Sequence, residues 1–381
     1  MVSIPNHHFF QWVNQLENSG HEVIWFDASD GGAEVQRIKW VHQIKGWKLR
    51  WDFPFRQTIK MNYPKISQWL ARFNEKDIAV VFEKLIDQFQ PDLIHSFEMR
   101  LTGLPLIKVL QKHGSIALVY SSWGSDLYYF KALGVSQERA YQFLQRVNYL
   151  ITDCHRDHEI AKATGFSNTF LGVYPGNGGI AIKHDYIKTR ENRNQIIVKG
   201  YDDGVGKAHV VLQALKMVKK ELLSPYELFV YSADEIIVQT IKMDLFFQSL
   251  PCKVIPRGQF LANEKLLQIM GKAVLHIGNS VSDGMPNALL EAMGMGAFPI
   301  QSNPGGVSEE VISDGKNGFL IQDPLDAAAI ANQIESALLD VDLISNAMDY
   351  NIELIKQRYD RTMLKNNIIK MYNDIFDLKR Q

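Results

Sequence analysis

Cysteine is nearly absent: Cys154 and Cys252 stand far apart, with no metal-ligand spacing around either. Two such residues build neither a disulfide framework nor a metal knot, and their scarcity suits a reducing compartment. Long apolar runs are missing too. None reaches the roughly 18 residues of a membrane-spanning helix, and no charged-then-apolar leader opens the chain, so the expected location is cytoplasmic. Net charge is close to nil, at −1, which gives no global reason to expect nucleic acid. Internal repeats, low-complexity tracts and metal motifs are absent as well. What remains is ordinary globular composition over 381 residues, 46% hydrophobic and 22% charged, enough for two domains with a sizeable core each.

Residues 274–311 carry the most information. An apolar run at 274–277 fits a buried strand, 279–284 is small and polar, and 286–293 has helical composition. A strand therefore leads through a loop into a helix. Asp283 stands at the helix entry, where an acid is expected to cap the amino end, and Glu291 lies inside the helix near the face of Asn287 and Ala288. A helix start offers N–H groups and a positive dipole end to an anion. A carboxylate further along suits two vicinal hydroxyls. Amides for phosphate and a carboxylate for a diol together suit a nucleotide sugar.

The stretch resembles the acid-x7-acid signature of retaining glycosyltransferase family 4. Ser280, Gly284, Pro286, Asn287, Leu289, Leu290, Glu291 and Ala292 match the family pattern, as does the pair Gly305 and Gly306 followed by Glu309 or Glu310. Asp283 replaces the usual first Glu, shortening its reach by a methylene. The resemblance implies an α/β protein of GT-B architecture, two Rossmann-like doubly wound domains facing a central cleft, with a C-terminal helix crossing back to the first domain. The implied segments are residues 1–176 on the acceptor side, a linker at 177–194, a nucleotide-sugar domain at 195–350, and a returning helix at 351–381.

Within the second domain, the resemblance places a diphosphate-neutralising Lys at Lys207. Tyr201 stands where the family's Arg usually does, so Lys199 or Arg257 is the candidate replacement. Arg257 and Gly258 lie where the base is held, with a surface Arg as the alternative. Gly284, Met285, Pro286 and Asn287 supply the helix-start groups, Glu291 the ribose partner and Asp283 the sugar-hydroxyl partner. A metal-independent site needs such cations for its leaving group, so no metal and no cofactor is expected beyond the donor, a nucleotide diphosphate sugar.

The first domain is less complete. Only four residues precede Pro5, where the family has a full first strand, so the strand is either very short or begins upstream. His7 and His8 open a helix and either face diphosphate or acceptor, as the family's first loop does, or simply cap that helix. His95, at a strand end, either lines the cleft or is a satisfied buried His. Trp123 replaces the His of the family's His-Gly-x-Asp loop, while Gly124 and Asp126 match it. Residues 37–76 carry ten basic residues against Asp52 and Glu75, interleaved with Trp and Phe. That composition fits either an anionic membrane surface beside a lipid-linked acceptor or a solvated basic face over core aromatics.

The expected activity is hexosyl or N-acetylhexosaminyl transfer from a nucleotide sugar to a glycan or lipid-linked acceptor, in bacterial surface polysaccharide assembly. The expected position is the cytoplasm, with peripheral attachment at the inner face of the cytoplasmic membrane, and no nucleic acid is expected as partner. Two alternatives stay open, a nucleotide-sugar epimerase of the same fold and a catalytically silent sugar-nucleotide-binding subunit.

Overall fold

A computed structural model describes residues 1–380. The chain divides into two compact units. One comprises Met1–Asp153, Asp157–Asn177 and the residues from Asn367 onward; the other comprises Cys154–Arg156 and Gly178–Asn366.

The first unit holds strands β1 (Val2–Ser3), β2 (Ile24–Asp27), β3 (His42–Ile44), β4 (Leu93–Phe97), β5 (Ala117–Ser121), β6 (Tyr149–Thr152) and β7 (Thr169–Val173). They pair in parallel in the order β3-β2-β1-β4-β5-β6-β7. Parallel strands covered on both faces read as unbroken apolar runs, and β5 is buried at all five positions. Short as it is, β1 is central, with Val2 beside both Phe26 and Ser96. Asn6 starts the helix His7–Val13 by accepting from the Phe9 amide at 2.8 Å. That helix buries Phe9, Trp12 and Val13. The stripe Ile368, Met371, Tyr372 and Ile375 of the last helix, Arg361–Arg380, enters the same core.

The second unit holds β8 (Gln195–Lys199), β9 (Glu227–Ala233), β10 (Cys252–Pro256), β11 (Ala273–Gly278), β12 (Phe298–Ser302) and β13 (Phe319–Ile321), again all parallel, in the order β10-β9-β8-β11-β12-β13. In both sheets the first strand is central and the order reverses beside it, between β1 and β4 and between β8 and β11. Such reversals are where doubly wound sheets bind ligands, beyond the carboxyl ends of the strands.

Three segments depart from the sequence reading. Residues 101–111 have the apolar spacing of a helix, but the helix begins only at Leu104, because a π-turn over Met99–Gly103 precedes it. That turn is anchored where Asp126 accepts the Met99 amide at 2.6 Å. Residues 183–194, polar enough to read as linker, form two 3-10 turns fixed by buried Arg193, which donates to the carbonyls of Lys188, Ala273 and Met295 at 3.0, 2.7 and 2.9 Å. The boundary expected at 350 falls inside the helix Val341–Tyr359, and the last expected residue, 381, lies outside the described residues.

The basic segment 37–76 divides in two. Its first part is core: Trp47 is buried and donates to the Asp27 carbonyl at 2.8 Å, and Lys45 lies 2.9 Å from buried Asp27. Its second part forms the helices Arg56–Asn62 and Pro64–Asn74.

Candidate active site

The reversal between β8 and β11 sets the place. β8 ends at Lys199 and β11 at Gly278, and the loops leaving them are tied together by their backbones. Val281 donates to Val205 and Lys207 to Asn279, each at 3.0 Å, while Gly206 bridges Ser280. Residue 206 must be glycine, because a Cβ there would lie 2.3 Å from the Tyr201 carbonyl oxygen. The Ser302 hydroxyl, at the end of β12, accepts from the Ser280 amide at 2.9 Å and holds the second loop from its other side.

Cations gather around Tyr201. Lys199 Nζ stands 4.7 Å from its ring centroid and the Arg257 guanidinium 4.1 Å. Both candidate replacements for the missing Arg are therefore at the residue that displaced it. Their charges are not equally available. Arg257 donates to Asp203 at 2.9 Å and to Asp234 at 3.2 Å, so two carboxylates already compensate it. Lys199 lies 3.8 Å from Asp283 Oδ2. Lys207 Nζ donates to the Gly204 carbonyl at 2.7 Å and has no carboxylate partner among the described residues. Gly258 lies in the turn after β10, with open space at its α-carbon.

The helix Asn287–Gly294 begins at Pro286 with no side-chain cap. The expected Asp283 cap is therefore corrected. Gly284, Met285 and Pro286 intervene, and Asp283 turns instead to Lys199. Left without a side-chain cap, the helix start keeps its positive end for another acceptor. Burial pushes the Asp283 carboxyl above the usual carboxylate range, and Lys199 and the Gly284 amide pull it partly back. Glu291 is raised by burial as well, against Asn263, which donates to it at 2.9 Å, and nearby Arg361. Beneath these acids, buried His276 meets the Tyr231 hydroxyl at 3.0 Å. Burial, with Lys199 adding, pulls the His276 pKa down to about 3, and burial pushes Tyr231 well up, so both are neutral.

Arg156 ties the loops of this site together. It donates to the Asp283 carbonyl at 2.8 Å and to the Pro304 carbonyl at 2.6 Å. The amides of His155 and Arg156 donate to Glu310 at 3.0 and 3.1 Å. Pro304 leads into Gly305 and Gly306, whose φ of 62° and 82° are left-handed, as the glycine pair permits.

Residues 182–354 match the family model described as glycosyl transferases group 1, and residues 2–154 match the one described as glycosyl transferase 4-like. The chain is a glycosyltransferase with a group 1 region in its second unit and a 4-like region in its first. No curated protein matches it significantly in sequence. Among solved structures, it is similar to HepE of Anabaena in complex with UDP and glucose, at 14% identity and a TM-score of 0.67 over 98% of each chain. It is similar to sucrose-phosphate synthase of Thermosynechococcus elongatus at 14% identity and a TM-score of 0.69, over 99% of this chain and 98% of that one. A glycosyltransferase of Rickettsia africae aligns at 13% identity and a TM-score of 0.62, over 98% of this chain and 97% of that one. At such identities the likeness establishes the fold, GT-B with two Rossmann-like units.

In this glycosyltransferase the candidates of the first unit fall into two sets. His8 and Trp123 come together edge to face, 6.3 Å between centroids, with Trp123 against Phe97 at 4.8 Å. His7 lies beside them, its Nδ1 2.9 Å from Arg37. His95 and Asp126 are buried. His95 has Tyr372 at 2.6 Å and Ser121 at 2.8 Å, one on each ring nitrogen, which is the satisfied buried histidine. Asp126 accepts from the Tyr120 hydroxyl as well as the Met99 amide. Gly124 donates to Asp153 at 2.9 Å, its φ of 58° shaping the loop.

Sequence reasoning missed Arg156, Asn263, Arg361, His276 and Tyr231. None sits in a motif. Only the apolar run around His276 gave a signal, since a histidine inside a buried parallel strand must find a polar partner.

Proposed function

We propose that this glycosyltransferase is retaining, metal-independent, and uses a nucleotide diphosphate sugar as donor, moving a hexosyl or N-acetylhexosaminyl group to a glycan or lipid-linked acceptor of bacterial surface polysaccharide assembly. The observation that carries this reading is the gathering of Lys199, Lys207, Asp283 and Glu291 at one sheet reversal, around a helix start without a side-chain cap. Departure of the nucleoside diphosphate leaves negative charge on its terminal phosphate. Lys207, whose charge no carboxylate among the described residues compensates, meets that phosphate together with Lys199 and the helix-start amides near Met285, Pro286 and Asn287. Glu291, steadied by Asn263, accepts the ribose hydroxyls, and Asp283 accepts sugar hydroxyls. The acceptor hydroxyl attacks from the face the diphosphate leaves and passes its proton to the departing phosphate oxygen, so the anomeric configuration is kept. UDP-glucose is the first donor to try, because the HepE crystals hold UDP with glucose.

A thermal-shift panel of UDP, GDP, ADP and their sugars, run with and without a chelator, tests the donor. One nucleotide should stabilise the protein equally in both conditions. NMR of the product from an α-linked donor should show an α linkage. A β product overturns retention, and a chelator-sensitive shift overturns metal independence. Release of an isomerised donor without any acceptor would replace the whole reading with the epimerase.

A further inference from the structure

The helices Arg56–Asn62 and Pro64–Asn74 bear on where such a transferase works. On the second helix Ile66, Trp69 and Phe73 fall at i, i+3 and i+7, so they share one face, and all three are more than half exposed. Trp69 and Phe73 pack edge to face, 5.2 Å between centroids. This stripe is not how the helix packs on its own unit. The neighbouring face, with Ser67, Leu70, Ala71 and Asn74, turns inward and lines a cavity of about 650 Å³. Phe55, before the first helix, is 76% exposed and held at a φ of 63°, a conformation bulky residues avoid. Trp51 and Trp69 are the only tryptophans with large exposure among the described residues.

Charge follows the same stretch. Residues 48–76 carry seven basic residues against two acidic, a net +5 in a chain whose total is −1. Lys65 and Arg72 flank the apolar stripe on one side of the helix. Arg56 pairs with Asp52 at 3.4 Å and Lys48 with Glu75 at 3.2 Å, so both acids are already compensated.

We propose that the face formed by Phe55, Ile66, Trp69 and Phe73, rimmed by Lys65 and Arg72, is a docking surface for an anionic phospholipid bilayer. Rings and aliphatic groups enter the interface while the basic side chains meet lipid phosphates. The net charge of the hairpin selects that occupant over a neutral apolar partner. The inference specifies the membrane attachment expected of a transferase with a lipid-linked acceptor, and it rests on that reading only for its purpose.

The test is sedimentation of the full chain with vesicles of phosphatidylcholine alone or with 30% phosphatidylglycerol. The wild type should pellet with the anionic vesicles at low salt and be released at high salt. Lys65→Gln with Arg72→Gln should lower the partition coefficient about thirtyfold, from two lost charges. Trp69→Ser with Phe73→Ser should lower it about tenfold or more, with melting temperature and nucleotide-induced shift unchanged because these positions are exposed. No pelleting, or equal pelleting with neutral vesicles, overturns the proposal. So does a dimer in sedimentation velocity that the serine variant converts to monomer while neither pellets, since the stripe would then serve self-association. A chain that docks on vesicles but transfers no sugar leaves docking intact and removes the proposed function instead.

Discussion

Replacing Glu291 with Gln separates the cost of the site from its use. Burial holds this carboxyl above the usual carboxylate range, against the Asn263 amide and the nearby Arg361 charge. Above that raised pKa the folded protein carries a half-buried negative charge that the unfolded chain carries in water. Glutamine keeps the shape and leaves an oxygen for Asn263, and it removes the charge. A relief of about 1 kcal/mol, an ordinary single-site effect, raises the melting temperature of a unit this size by about 2–4 °C. The sign with pH follows. A raised folded pKa means the native state holds the proton more tightly, so wild type gains stability as pH falls through that pKa toward the unfolded value of about 4.3. The advantage of Glu291→Gln therefore shrinks on acidification and is gone below about pH 4. Donor binding moves the other way. A neutral amide in place of a carboxylate on the ribose diol loses about 1.5–3 kcal/mol, roughly 10- to 150-fold in Kd. Differential scanning calorimetry from pH 4 to 8 and titration with UDP-glucose read both. A variant that binds the donor like wild type refutes the ribose assignment. One that melts lower at pH 8 refutes the burial argument.

Three further outcomes follow from named groups. Lys207→Ala should cost about 1.5–3 kcal/mol in the transition state, seen as a kcat/KM roughly 10- to 150-fold lower, whereas Arg257→Ala, already neutralised by Asp203 and Asp234, should cost less in steady-state assays. Arg193→Met should strand three carbonyls, at about 1–3 kcal/mol apiece less what water recovers, and lower the melting temperature by roughly 5–10 °C without changing donor specificity. His95 and His276 are both held below the usual imidazole range by burial, so the unfolded chain takes up protons first and stability falls below about pH 6.5. For His276 that fall continues toward pH 3, and His276→Asn should flatten it in urea titrations while leaving the behaviour above pH 7 unchanged.

What could be read from the sequence was whatever one segment decides alone. The apolar run 274–277 lies inside β11 and the helical stretch 286–293 nearly matches the helix Asn287–Gly294, so both elements follow from local composition. The sheet order does not, since the parallel pairing of β8 with β11 joins residues nearly eighty apart in the chain. The same division holds at the site. Glu291, Pro286 and Asn287 stand in a motif because a helix start and its loop are contiguous. Asp283 reads as a cap for the same reason, and the reading fails because Pro286 takes the cap position and Lys199, arriving from β8, offers Asp283 a charge. Arg193 looks like linker because a guanidinium is costly to bury, until three carbonyls from separate elements converge on it. Arg156 is the extreme case. Its role as a tie between Asp283 and Pro304 is defined wholly by groups more than a hundred residues away, so no local pattern marks it. The residues that hold loops in register are therefore those the sequence hides, and substitutions there should disturb positioning before they disturb chemistry.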